Sequence, residues 1–153
     1  MSRLIAEWIW LAGGILWFVI RFPHQRRARK IKVDRSVGGT RDQLLLMSSL
    51  GGLCIIPFIY FLMSVFSRHP VFADYAFQPW QGWIGLVLML AALWMFYETH
   101  RQLGRNWSVT LETRKKHELV ASGVYAWVRH PMYSAFWLLA LAQAFLLANW
   151  IAG

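Results

Sequence analysis

The chain has 153 residues and a formal net charge of +9, from 16 Lys and Arg against 7 Asp and Glu; 58% of it is hydrophobic, ten residues are Trp and one is Cys. A single Cys excludes an internal disulfide framework and any CxxC metal or redox pair, and leaves Cys54 as a small core residue. Charge gathered into short stretches between long apolar runs excludes both disorder and a soluble basic domain, and points to one membrane domain over residues 1–153 with a few spans.

The first apolar run, Leu4 to Ile20, has 17 residues, near the lower limit for crossing a hydrocarbon core. Glu7 sits early in it, no small-x-small cleavage site follows, and its flank is strongly basic, so it reads as a retained helix rather than a signal peptide. The second run, Leu44 to Phe66, is broken only by Ser48, Ser49, Gly51, Gly52 and Pro57, with a kink expected at Pro57. The third, Trp80 to Tyr97, follows Pro79, and Trp80 and Trp83 read as interfacial anchors. The fourth, Met132 to Ile151, has 20 residues, Gln143 near its centre and Trp150 at its far end. The expected fold is all-α, a polytopic helical membrane protein with spans at about 4–20, 44–66, 80–97 and 132–151.

Arg21, Arg26, Arg27, Arg29, Lys30, Lys32, Arg35 and Arg41 lie between spans one and two, and Arg101, Arg105, Arg114, Lys115, Lys116 and Arg129 between three and four; only Arg68 lies between two and three. The positive-inside rule makes 21–43 and 98–131 cytoplasmic loops and puts both chain ends outside. The expected setting is multi-pass insertion in a bacterial inner membrane with the active face cytoplasmic. Nucleic-acid binding would need a soluble basic face; the cluster 21–41 instead suits anionic lipid headgroups. Arg-His-Pro occurs at Arg68 to Pro70 and at Arg129 to Pro131, on opposite predicted sides, so the two copies do not repeat one site.

The third loop is where chemistry concentrates. Proline at a first helical position is pre-set for helix, and the residue before it is pushed toward extended geometry, so His130 is placed to cap a helix opening at Pro131. The unpartnered first-turn amides suit an anion such as a carboxylate, with Arg129 as a further donor. Tyr125, Trp127 and Tyr133 could face a cation. A pocket with both contacts suits a zwitterionic sulfonium cofactor; a basic flank with a helix-starting proline is the plainer explanation of the same residues. There is no GxGxxG, Walker loop, HExxH or GxSxG, and no metal site is expected.

At these residues the sequence resembles the isoprenylcysteine carboxyl methyltransferase family, integral membrane enzymes that use S-adenosylmethionine. The pattern is His117-x-Leu119-Val120-x-x-Gly123-x-Tyr125-x-x-x-Arg129-His130-Pro131-x-Tyr133, nine positions in seventeen residues, preceded by Leu103-Gly104-x-x-Trp107-Ser108. The likeness covers roughly residues 80 to 150. It implies a cofactor site at His117, Glu118, Leu119, Val120, Tyr125, His130, Pro131, Met132 and Tyr133, and a lipid-linked or small hydrophobic methyl acceptor reaching it from the bilayer. The copy at Arg68 has Phe72 where Tyr is required. Family members continue past the fourth span with a returning helix and a segment carrying an Arg and a Glu-Glu pair; this chain stops at Gly153, so that closing part is expected to be missing.

Transfer from a sulfonium to a carboxylate or thiolate needs no strong base, so no catalytic base is assigned. Gln143 and the Ser48, Ser49, Gly51 and Gly52 patch read as helix packing or as lining for the acceptor's route. Glu98 and His100 read as a solvated helix end in preference to a substrate contact, the other reading of the pair. Two other classes stay open: a non-catalytic membrane scaffold or fragment keeping part of the cofactor site, and a lipid-interacting module whose working part is the basic first loop.

Overall fold

The computed structural model describes residues 1–28, 35–36, 40–66, 71–103, 112–113 and 122–153. In chain order the elements are α1 (Arg3–Ala28), β1 (Arg35–Ser36), α2 (Thr40–Leu50), a π-helical segment (Gly51–Ile55), α3 (Ile56–Phe66), α4 (Pro79–Leu103), β2 (Glu112–Thr113), α5 (Val124–Trp127) and α6 (Pro131–Leu146). The protein is a helical membrane protein: Arg3–Arg26, Met47–Phe66 and Pro79–Leu103 are each long and apolar enough to cross a bilayer, and Pro131–Leu146 is a shorter apolar helix.

The helix ends differ from the expected spans. The first span was placed at 4–20, yet α1 runs on to Ala28, because arginines can continue a helix while their charged heads reach toward water. The third span was expected to stop at 97, but α4 continues to Leu103 through a polar last turn. The fourth span, expected to reach 151, ends at Leu146. Sixteen residues rise about 24 Å, less than the roughly 30 Å of a hydrocarbon core. Beyond it Leu147–Gly153 folds back, with Leu147, Ala148, Asn149 and Ala152 buried.

The tightest packing is between α4 and α6. Gly82, Gly85, Met89, Ala92 and Phe96 recur at three- and four-residue intervals and are buried; so are Ala135, Leu139, Ala142 and Leu146 on α6. Small residues let the two backbones approach, which is how helices associate where water supplies no hydrophobic drive. A Cβ on Gly85 would sit 2.7 Å from Leu146 Cγ. Helix α1 adds Ala6, Trp10 and Trp17 to the same core, with Trp17 stacked on Phe96 at 3.5 Å between centroids.

The irregularity expected at Pro57 lies one turn earlier, in Gly51–Ile55. In the wide π register the amide that would reach the Gly52 carbonyl is that of residue 57, and proline has none. Gln143 Nε2 donates to that carbonyl at 3.2 Å instead and to Ala152 O at 2.9 Å, while its Oε1 accepts from Trp10 Nε1 at 3.3 Å. Gln143 is therefore a packing hub. The Ser48 and Ser49 hydroxyls both donate to Leu45 O at 2.9 Å within their own helix.

One end of the bundle gathers the start of α1, the end of α3, residues 71–78 and the folded-back tail. Arg3 bonds Glu7 Oε1 (2.9 Å), the Tyr60 hydroxyl (2.7 Å) and Asp74 Oδ2 (2.7 Å). Ser64 Oγ donates to Glu7 at 2.8 Å, and Asn149 Nδ2 donates to Asp74 Oδ1 at 3.0 Å. A buried intramembrane carboxylate such as Glu7 is costly unless paired in this way. The expected anchors Trp80 and Trp83 stand exposed on α4, whose first turn lies at this end. At the other end the first and third connections meet: Arg35 pairs with Thr113 and Ser36 with Glu112 in a short antiparallel ladder that an all-helical expectation did not include.

Candidate functional site

The site is built where α4 ends and α6 begins. Helix α6 opens at Pro131, which is buried at the first helical position; His130 (φ −130°, ψ 66°) stays out of the helical region, as the residue before a proline tends to, but its ψ falls short of the extended range expected. The His130 carbonyl accepts the first helical bond, from Ser134 N at 3.2 Å, while its imidazole makes no capping bond. The first-turn amides are thus left uncapped by that side chain, at the positive end of the helix dipole. Tyr133 lies on the exposed side of this turn, its ring centroid 5.7 Å from that of His130. Met132 is half-buried.

Helix α5 is a single turn, following Gly123 at φ +62°, a value L side chains rarely adopt. Tyr125 N donates to Ser122 O at 3.3 Å. The Tyr125 ring is half-buried, and burial pushes its phenol up to about 12, so at neutral pH it is an uncharged hydrogen-bond donor. Trp127 is 92% exposed.

Of the nine predicted site residues, the structure brings His130, Pro131, Met132 and Tyr133 together on the first turn of α6 and sets Tyr125 just before it. Among the described residues, no hydrogen bond or ring contact joins Tyr125 to the His130–Tyr133 pair. His117, Glu118, Leu119 and Val120 lie outside the described residues, as do Gly104, Trp107 and Ser108 and the Arg68 to Pro70 copy.

Two residues read as a solvated end behave otherwise. His100 is completely buried, its Nδ1 2.9 Å from Phe96 O and its ring 5.1 Å from that of His24. A carbonyl only accepts, so Nδ1 carries the proton in the neutral ring and Nε2 presents a lone pair. Glu98 is half-buried and bonded to Arg101 (2.8 Å) and Gln102 (3.1 Å). Gln102 was not singled out from sequence. Its signal was the Glu98–Gln102 spacing of four on a helix that outlasts its apolar run.

With the geometry in hand, comparison with known proteins gives a likeness of class: residues 82–153 match the sequence model of the isoprenylcysteine carboxyl methyltransferase (ICMT) family. A protein-S-isoprenylcysteine O-methyltransferase of Schizosaccharomyces pombe is 42% identical over 53 residues, covering 33% of this chain. The match spans 22% of that relative's own length.

Proposed function

We propose that this chain is a membrane-embedded methyltransferase that uses S-adenosylmethionine, with its site at His117–Val120, Tyr125 and His130–Tyr133. The acceptor in this reading is a lipid-linked or small hydrophobic molecule, like that named for the fission-yeast relative. The observation that carries it is the nine-position pattern from His117 to Tyr133, lying wholly within the family-matched segment.

The described residues fit such a cofactor. The uncapped amides of α6 and the guanidinium of Arg129 suit its carboxylate, and the exposed faces of Trp127 and Tyr133 suit its cationic centre. When bound, S-adenosylmethionine supplies a methyl group activated by a sulfonium. The protein's part is to hold and orient the ligand by these groups and to keep Tyr125 neutral as a donor. A carboxylate or thiolate acceptor is already nucleophilic at neutral pH, so no residue is assigned as base. In this reading the loop end faces the cytoplasm, the arginines and lysines of 21–41 meet anionic headgroups at about 1 kcal/mol each, and the acceptor's tail enters between helices from the bilayer.

The test is calorimetric titration of S-adenosylhomocysteine into the purified chain in nanodiscs, beside His130→Ala and Tyr133→Ala. Saturable binding weakened by both substitutions is expected. Absence of binding by a folded chain, or binding indifferent to both, contradicts the reading.

A further inference from the structure

Polar residues at the rim of a span are ordinarily solvated, yet on α4 they form a chain of bonds ending on the backbone of the candidate cofactor turn. Glu98 Oε2 accepts from Arg101 Nε (3.1 Å) and Nη2 (2.8 Å) and from Gln102 Nε2 (3.1 Å). With its amide nitrogen committed to Glu98, Gln102 turns Oε1 toward the Val124 amide and accepts from it at 3.0 Å. The opposite flip would set two donors face to face at Val124 and two acceptors face to face at Glu98, so the network itself assigns the orientation. Gly123 completes the contact: a Cβ there would run into the Gln102 amide, and the backbone stands at φ +62°. The Gln102 amide therefore occupies the space a side chain at 123 would need, one residue before Val124 and two before Tyr125.

We propose that Gln102, oriented by Glu98, is a positioning residue for the cofactor: it fixes the Gly123–Val124 turn and so the presentation of Tyr125 and Trp127 to the ligand. The inference rests on the methyltransferase reading above, and deepens it by tying the site to the last turn of the third long helix rather than to the loop alone.

The test compares the full chain with Gln102→Ala, Gln102→Glu and the double variant Glu98→Gln/Gln102→Glu. In Gln102→Glu two carboxylates face each other; in the double variant Gln at 98 again donates to an acceptor at 102, which again receives the Val124 amide. Three readouts are taken: S-adenosylhomocysteine affinity by calorimetry, the thermal midpoint, and deuterium exchange at the Val124 amide. Gln102→Ala and Gln102→Glu are expected to weaken binding about fivefold, the worth of one net hydrogen bond. Val124 exchange should speed up while the midpoint stays near wild type, and the double variant should recover both affinity and protection. Wild-type affinity in Gln102→Ala, unchanged Val124 exchange, or failure of the double variant to recover would overturn the proposal. If the unaltered chain binds no S-adenosylhomocysteine while Gln102→Ala still speeds Val124 exchange, the methyltransferase reading has failed and Gln102 is a structural clamp, which also overturns it.

Discussion

Gln143 is a buried residue whose loss strands partners on three different segments. Gln143→Leu keeps the approximate volume and removes three hydrogen bonds at once: Trp10 Nε1 loses its acceptor, and the Gly52 and Ala152 carbonyls lose their donor. Trp10 and Ala152 are buried, so neither group regains a partner from solvent. Taking about 1 kcal/mol for each stranded buried group and about 0.6 kcal/mol for the Gly52 bond, as intramembrane bonds average, gives about 3 kcal/mol in total. That is roughly a hundredfold in the folding equilibrium. The assay is reversible unfolding by dodecyl sulfate in mixed micelles, followed by Trp fluorescence. Trp10→Phe should cost less in the Gln143→Leu background than alone, since the two share a bond. A Gln143→Leu chain within about 0.5 kcal/mol of wild type would refute the reasoning, leaving the amide incidental to packing.

Three further outcomes follow from the packing and the charges. Hydrogen bonds from Asn149, Arg3 and the Val71 amide hold the Asp74 carboxyl below its usual range against the opposing effect of burial. The stability it contributes is therefore complete above the unfolded value near 3.8 and is lost as pH falls through the lower folded value; acid unfolding monitored by fluorescence should lose this component in Asp74→Asn. Gly85→Ala should destabilise by about 1–3 kcal/mol despite alanine's better helix propensity, because the new methyl meets Leu146 and Phe145; sulfate titration reads it directly. Gly123→Ala should cost about 1–3 kcal/mol locally and accelerate deuterium exchange in residues 122–127, since its positive φ and the Gln102 amide both oppose a side chain.

What was legible in the sequence depended on the range of the interaction. The start of α6 followed from one local rule: a proline needs no amide partner, so helix begins at Pro131 with a non-helical His130 before it. The α4–α6 seam left a trace in the three- and four-residue spacing of Gly82, Gly85, Met89 and Ala92, but spacing on one helix does not name the partner it packs against. The end of the fourth helix could not, because Leu147, Ala148, Ile151 and Ala152 are as apolar as a span, and hydropathy does not separate continued helix from a tail folded back on the core. Asn149 was the one sign: its side chain accepts from the Ile151 and Ala152 amides and reverses the chain there. Likewise Arg3 and Glu7 stand four apart and were open to reading as a pair, whereas Asp74, their third member, lies 71 residues beyond Arg3. Helix α4 outlasted its apolar run because Glu98, Arg101 and Gln102 find partners in one another and on the Val124 backbone. At the site, the first turn of α6 came from proline chemistry, but the hold of Gln102 on Gly123 depends on where a distant loop returns.

The central claim is that residues 117–133 receive S-adenosylmethionine. Its most direct measurement is ultraviolet crosslinking of methyl-tritiated S-adenosylmethionine to the intact chain in nanodiscs, with the labelled peptide located by mass spectrometry. The account predicts saturable labelling within 117–133, displaced by S-adenosylhomocysteine and reduced by Tyr133→Ala. Labelling that is unsaturable, or that falls on the basic segment 21–41 instead, would contradict it.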